Sequence, residues 1–258
     1  VGKDLAEAVK WDAGDWHRRF SLQAGWTEQI RQYCVKQLNL EGCRRILEAG
    51  CGTGVISASL QRMTGAEVYG LDIRQDFLGY AGRINPASVF IQGDAHFLPF
   101  APASFDCAVC HFFLLWASEP VAALTEMRRM VQPGGWVVAL AEPDYGGRID
   151  YPDPLSTLGW KQATALHTQG ADTYAGRKLA SWLGQVGLKE IQVGLLGGQW
   201  GAPPSKEERE SEYEMIQADL SETTSPVEVA KLLNLDAAAW RKGERILYVP
   251  TFYGWGRV

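Results

Sequence analysis

Ile46-Leu47-Glu48-Ala49-Gly50-Cys51-Gly52-Thr53-Gly54-Val55 is the stretch that decides the fold. A short apolar run ends at an acidic residue, three alternating glycines follow, and an amphipathic segment begins at once. This reads as strand, tight turn and helix start. Glycine is needed where backbone takes positive φ or must approach another group with no Cβ in the way. In open α/β sheets, cofactors bind at this point, outside the carboxyl end of the strand. A dinucleotide fingerprint, G-x-G-x-x-G, would place its third glycine at position 55, which is Val55. A P-loop fails too, because no G-K-[ST] follows the turn.

Downstream, Glu67 to Leu71 reads as a second strand that ends at Asp72, twenty residues past Gly52. A carboxylate at that distance hydrogen-bonds ribose hydroxyls in nucleotide-binding folds. Its structural alternative is a helix N-cap for a segment from about Gln75 to Ile84. Ser88 to Ile91 is a third strand, followed by Gly93-Asp94-Ala95-His96-Phe97-Leu98-Pro99-Phe100. Ser104 to Cys110 is a fourth, running into His111-Phe112-Phe113-Leu114-Leu115-Trp116. Glu119 to Val131 is a helix with Arg128 and Arg129 in its last turn, stopped by Pro133-Gly134-Gly135 before a fifth strand from Trp136 to Ala141.

The runs E-A-G-C-G-T-G, G-D-A-x-x-L-P-F and M-V-Q-P-G-G resemble motifs of the class I S-adenosylmethionine-dependent methyltransferases, and most of all the broad group that includes the ubiquinone- and menaquinone-biosynthesis enzymes. The likeness covers residues 46–145 well and the rest loosely. It implies S-adenosylmethionine as cofactor and S-adenosylhomocysteine as product. The binding set it implies is Glu48, Gly50, Cys51, Gly52, Asp72, Ile73, Asp94, Ala95 and Cys110. In the family the aspartate of G-D-A accepts the adenine amino group and the next N–H donates to a ring nitrogen, roles that fall on Asp94 and Ala95. His96 reads as a rim residue. Methylases of adenine or glutamine amides carry Asn/Asp-Pro-Pro-Tyr/Phe after the fourth strand, whereas this chain has Cys110-His111-Phe112-Phe113. His111 is the best-placed candidate general base, its alternative being a site-lining side chain without proton transfer.

The fold class expected is α/β, a doubly wound, mostly parallel seven-stranded sheet of Rossmann-like methyltransferase type. A single domain over residues 1–258 is expected, with an N-terminal helical cap (1–40) and a helical insertion (145–173) shaping the substrate pocket. Residues Leu5 to Leu38 read as helix broken near Gly14 and Gly25, with Trp26 or Arg31 available to close over the methionine end of the cofactor. After the fifth strand come Glu142-Pro143-Asp144-Tyr145, a helix from Leu155 to Thr168, another from Tyr174 to Val186, and a sixth strand from Leu188 to Leu195. Gly176-Arg177 reads as structural. A charged helix from Ser205 to Leu220, a short one from Pro226 to Leu233 and a seventh strand from Arg245 to Phe252 complete the pattern.

A net charge of −5 with no basic stripe argues against a nucleic-acid partner. No apolar run approaches the roughly 18–20 residues that span a bilayer, and no signal peptide is evident, although the chain starts at Val1. A cytoplasmic protein is therefore expected. Cys107 and Cys110 form a C-x-x-C, but they lie on an apolar strand where residues three apart face opposite ways, so they read as core thiols and no metal site is expected. Ten tryptophans leave some free to line a cavity for a small aromatic or amphipathic substrate. Two other functions stand beside methyl transfer: a cofactor-binding protein of the same fold, and an NAD(P)-dependent oxidoreductase disfavoured by Val55 and the G-D-A run.

Overall fold

The computed structural model describes residues 11–198 and 203–258, which form two compact units. The larger comprises Trp11–Glu142, Ala175–Leu196 and Thr251–Val258; the smaller includes Pro143–Tyr174 and Gly197–Pro250. The sequence reading expects one domain with an insertion at 145–173; contacts place the helices after residue 205 with that segment as well.

In the larger unit, α1 (Ala13–Trp26) and α2 (Glu28–Gln37) precede the strand–helix series. That series runs β1 (Arg45–Ala49), α3 (Val55–Thr64), β2 (Glu67–Asp72), α4 (Gln75–Ile84), β3 (Val89–Gln92), β4 (Phe105–Cys110), α5 (Pro120–Met130) and β5 (Val131–Pro143). The sheet order is β3-β2-β1-β4-β5-β9-β7, with β7 spanning Lys189–Leu195 and β9 Thr251–Arg257. Strands β1 to β5 pair in parallel, and β7 pairs antiparallel with β9. This is the doubly wound sheet the alternating pattern predicts. Helices on both faces explain why β1 and β4 read as nearly continuous apolar runs rather than alternating ones. Ile46, Leu47, Ala49 and Cys107 through Cys110 are wholly buried. Cys107 and Cys110 are free core thiols, raised well above the usual cysteine range by burial.

Four boundaries differ from expectation. β5 begins at Val131, directly after the helix and ahead of Pro133-Gly134-Gly135, rather than at Trp136. Residues 5–10 of the predicted first helix lie outside the described residues, and the break falls at Thr27 rather than at Gly14 or Gly25. Asp12 forms a capping box with Asp15, accepting from Gly14 and Asp15 N–H at 2.8 and 2.9 Å, so Gly14 sits inside a capped first turn. The expected strand from Arg245 to Phe252 is two strands. Pro250 offers no N–H to a ladder, and the chain changes sheet there: β8 (Ile246–Tyr248) pairs with β6 (Ile149–Tyr151) in a separate ribbon, and β9 enters the main sheet. The helix expected to stop at Leu233 continues to Lys242, where Gly243 at φ +70° ends it.

The smaller unit packs α6 (Ser156–Thr168), α8 (Lys206–Leu220) and α9 (Pro226–Lys242) around Leu155, Leu158, Ile216, Leu220 and Leu233. The intervening α7 (Ala175–Gln185) belongs to the larger unit. Beside that apolar cluster lies a buried ionic network. Arg245 donates to Asp150 and Asp236, each at 2.6 Å, and Arg148 donates to Asp150 at 2.8 Å and to Gln162 at 2.6 Å. Tyr213 completes it with a 2.7 Å bond to Asp236. Gly159 is required there, since a Cβ would lie 2.2 Å from the Asp150 carboxylate.

Candidate cofactor and substrate site

The parallel register fixes which residues share the carboxyl edge. Ala49 lies opposite Leu71 and Cys110, and Asp72 opposite Gln92. The residues that follow, Gly50, Ile73, Gly93 and His111, therefore emerge side by side. Gly50, Gly52 and Gly54 take φ of +71°, +53° and +78°, as the strand–turn–helix reading requires. Side chains are excluded for a second reason: a Cβ at Gly50 would lie 2.4 Å from the Phe113 ring, and one at Gly52 would lie 3.0 Å from Phe20. The aromatic N-terminal helix and the loop after β4 thus press directly on the turn.

Asp72 is the hinge of this edge. One carboxylate oxygen accepts from Gly52 N–H at 2.8 Å and the other from Arg74 N–H at 2.9 Å. It is not the N-cap of α4; that position is Arg74, which makes no side-chain cap bond. Burial raises the carboxyl above its usual range, against the pull of those N–H donors. A carboxylate has about four lone-pair sites, so two acceptor positions stay available to a diol. Beside it, Ile73 is 67% exposed, an unusual place for a large apolar side chain. Gly93 N–H binds the Asp72 carbonyl at 3.0 Å, which brings Asp94 alongside. Asp94 is exposed, and its pKa is lowered chiefly by the His96 N–H it accepts at 2.9 Å. The His96 ring, read as a rim residue, contacts the Asp94 carboxylate at 2.6 Å. Phe97, next along, is 80% exposed. The edge thus combines hydrogen-bond acceptors with apolar plates, the chemistry that suits an adenosine group.

Four residues of the expected binding set face inward. Glu48 is 1% exposed and accepts a very short bond from Ser57; burial pushes its carboxyl up to about 8. Cys51, Ala95 and Cys110 are buried as well, which leaves backbone atoms as the groups Cys51 and Ala95 can offer.

His111 is held from an unexpected direction. Its Nε2 lies 2.8 Å from the Thr27 hydroxyl, and Arg31 donates to that same oxygen at 2.7 Å. Arg31 also binds the Ala24 carbonyl at 2.7 Å and Ser59 at 3.3 Å, so it is a buried brace and not a lid. The Thr27 hydroxyl's alternative acceptors, the Ala24 and Gln23 carbonyls, are at 3.3 and 3.4 Å. The short contact directs its proton to Nε2 and leaves His111 neutral. Burial, helped by the Arg31 charge, pushes the imidazole down to about 3. The loop beyond is anchored by Glu142, whose carboxylate accepts N–H groups of Phe113, Leu114 and Leu115 at 3.0, 2.9 and 3.2 Å. Burial raises Glu142 to about 7 against those three donors. Phe112, at φ +48°, is the strained residue at the start of this loop. Trp26, expected to close over the methionine end of the cofactor, is exposed and contacts Arg19.

Comparison with known proteins bears on the family and the fold. A methyltransferase domain family matches residues 47–139. A demethylmenaquinone methyltransferase of Renibacterium salmoninarum is 35% identical over 69% of this chain and 80% of its own length. A malonyl-[acyl-carrier protein] O-methyltransferase of Erwinia billingiae is 31% identical over 52% of this chain, which spans about half (51%) of that relative. Among solved structures, a Haloferax volcanii methyltransferase in complex with the Trm112 activator has a TM-score of 0.62 at 15% identity, covering 100% of this chain and 98% of that one. The [4+2]-cyclase SpnF has a TM-score of 0.58 at 19% identity, covering 90% and 80%. At such identities these two speak for the fold alone.

Proposed function

Because the chain belongs to the class I S-adenosylmethionine-dependent methyltransferases, we propose that it transfers a methyl group from S-adenosylmethionine to a small aromatic or amphipathic molecule. The observation that carries this reading is the pair of carboxylates, Asp72 and Asp94, flanking exposed Ile73 at the edge beside the glycine turn. Asp72 would accept from the ribose hydroxyls, Asp94 from the adenine amino group, and Ile73 would cover the ring. The turn at Gly50 and Gly52 would admit the amino-acid portion, with Phe113 and Phe20 as its walls.

The cofactor supplies an already activated, electrophilic methyl group. The protein's task is then mainly to hold the acceptor atom in line, and near-attack placement can contribute about 7–11 kcal/mol to barrier lowering. His111 does not serve as the general base in this reading. With a pKa near 3 and Nε2 already bonded to Thr27, it is a neutral, positioned ring. A substrate hydroxyl would need to ionise without it, which favours a phenolic or otherwise acidic acceptor. One relative's name, demethylmenaquinone methyltransferase, is that of an acceptor of small-molecule type and supports the substrate class, whereas another's names a malonyl group carried on an acyl-carrier protein.

The test is turnover of methyl-labelled cofactor against a panel of phenols, quinols, carboxylates and amines, run beside calorimetric titration with S-adenosylhomocysteine. Label in a phenol or quinol supports the proposal. Tight product binding without turnover on any class would support a cofactor-binding protein, and binding of NADH alone would support an oxidoreductase.

A further inference from the structure

A cavity of about 480 Å³ is bounded by α1, α2, the outer side of α3 and the end of α4, and reaches the glycine turn only at Gly54. Its lining contains none of the residues assigned above to the adenosine group. On α3, Val55, Ala58 and Arg62 fall on one stripe, while Ile56 and Leu60 turn inward to the core. Ile84, 46% exposed, extends this apolar floor.

The charges around that floor do not balance. Arg31 and Arg62 both line the cavity, and Glu28 is the one carboxylate among its lining residues. Burial chiefly lowers the Arg31 pKa, Glu28 and Glu48 oppose this, and the nearby Arg62 charge lowers it further. Arg31 places Nε and Nη1 on Ser59, Ala24 and Thr27, which leaves Nη2 without an acceptor among the described residues. Arg62 has no hydrogen bond or ion pair among the described residues. Guanidinium is the side chain best matched to a carboxylate or phosphate fork. A cavity of this size, with an apolar floor and a few placed polar groups, is of the kind that takes a small ligand.

We propose that this cavity is a second ligand site, which binds a small oxyanion carrying an apolar tail, of which a medium-chain carboxylate is the simplest form. The head group bridges Arg62 and the open nitrogen of Arg31, and the tail lies on Val55, Ala58 and Ile84. Its head-group and tail residues are distinct from those assigned to the cofactor, so the proposal does not depend on the methyl-transfer reading.

Decanoate, decanol and inorganic phosphate are the probes, titrated into the full chain with and without S-adenosylhomocysteine. Binding is read by calorimetry and by methyl NMR shifts of Val55, Ala58 and Ile84. Decanoate should bind at least about tenfold more tightly than decanol or phosphate, shift those three methyl signals, and do so unchanged by S-adenosylhomocysteine. Arg62→Glu, at an exposed position, should weaken decanoate about tenfold or more while leaving the melting temperature near the parent's; Arg62→Lys should keep part of the affinity. Equal binding of decanol would show a merely greasy surface, and equal binding of phosphate an adventitious ion site. Either result overturns the proposal, as would shifts at other methyls or an unaffected Arg62→Glu variant.

Discussion

Replacing Asp72 by alanine separates the architectural and ligand-binding parts of the account. The carboxylate accepts from Gly52 and Arg74 N–H groups at 2.8 and 2.9 Å, so it ties the glycine turn to the start of α4. Hydrogen bonds to charged groups contribute roughly 1.5–3 kcal/mol each. Against this stands the relief of removing a buried carboxylate whose pKa is already raised. A net loss of about 2–3 kcal/mol follows, which at about 2–4 °C per kcal/mol lowers the melting temperature by roughly 5–10 °C. Affinity for S-adenosylhomocysteine should also fall about tenfold or more, because the diol loses its acceptor. Asp72→Asn keeps one amide oxygen and so should recover part of the stability but little of the affinity. Differential scanning fluorimetry and calorimetry on the same samples give both quantities. An alanine variant with parental melting temperature would refute the tie between turn and helix. One with parental affinity would refute the ribose assignment.

Four further outcomes follow from the structure. ¹⁵N-resolved NMR of His111 should show the Nδ1–H tautomer, unprotonated at pH 6, and Thr27→Val should disturb its signal; a protonated ring at that pH would contradict the brace. Glu48 has its folded pKa raised to about 8, so its stabilising contribution is complete below the unfolded value of 4.5 and is lost as pH rises toward 8; across that window the stability of Glu48→Gln relative to the parent should rise by about 1.4 kcal/mol per pH unit, measured by urea unfolding. His111 acts in the opposite sense, with stability present above 6.5 and lost as pH falls toward 3, so His111→Phe should flatten the parent's acid limb in the same measurement. In the smaller unit, Arg245→Met leaves Asp150 and Asp236 buried without their shared partner and should destabilise by about 3–5 kcal/mol in chemical unfolding.

What sequence reading reaches here is what is local along the chain. The G-x-G-x-G turn, Asp72 at the end of β2 and Asp94 after β3 each depend on neighbours within one strand–turn–helix unit, and the structure puts all three on one edge. Residues linked across the fold leave no such trace. Thr27 meets His111 across 84 positions, and Glu142 reaches back 29 to Phe113, with no spacing rule to announce either. Glu48 shows the limit of motif transfer: its position is the family's, yet its side chain turns to Ser57 and is sealed in. The Arg245 segment misleads for a related reason, since an apolar run with β-formers specifies strand but not which sheet receives it. Only the pairing with Ile149–Tyr151 shows that.

The most direct test of the central claim, that the carboxyl edge holds S-adenosylmethionine through Asp72 and Asp94, is hydrogen–deuterium exchange with and without S-adenosylhomocysteine. Binding should protect amides in 50–54, 72–77, 93–98 and 111–115 together, with Asp94→Ala abolishing the protection at 93–98 and weakening the rest. Protection elsewhere, or a footprint produced by NADH and not by S-adenosylhomocysteine, would contradict it.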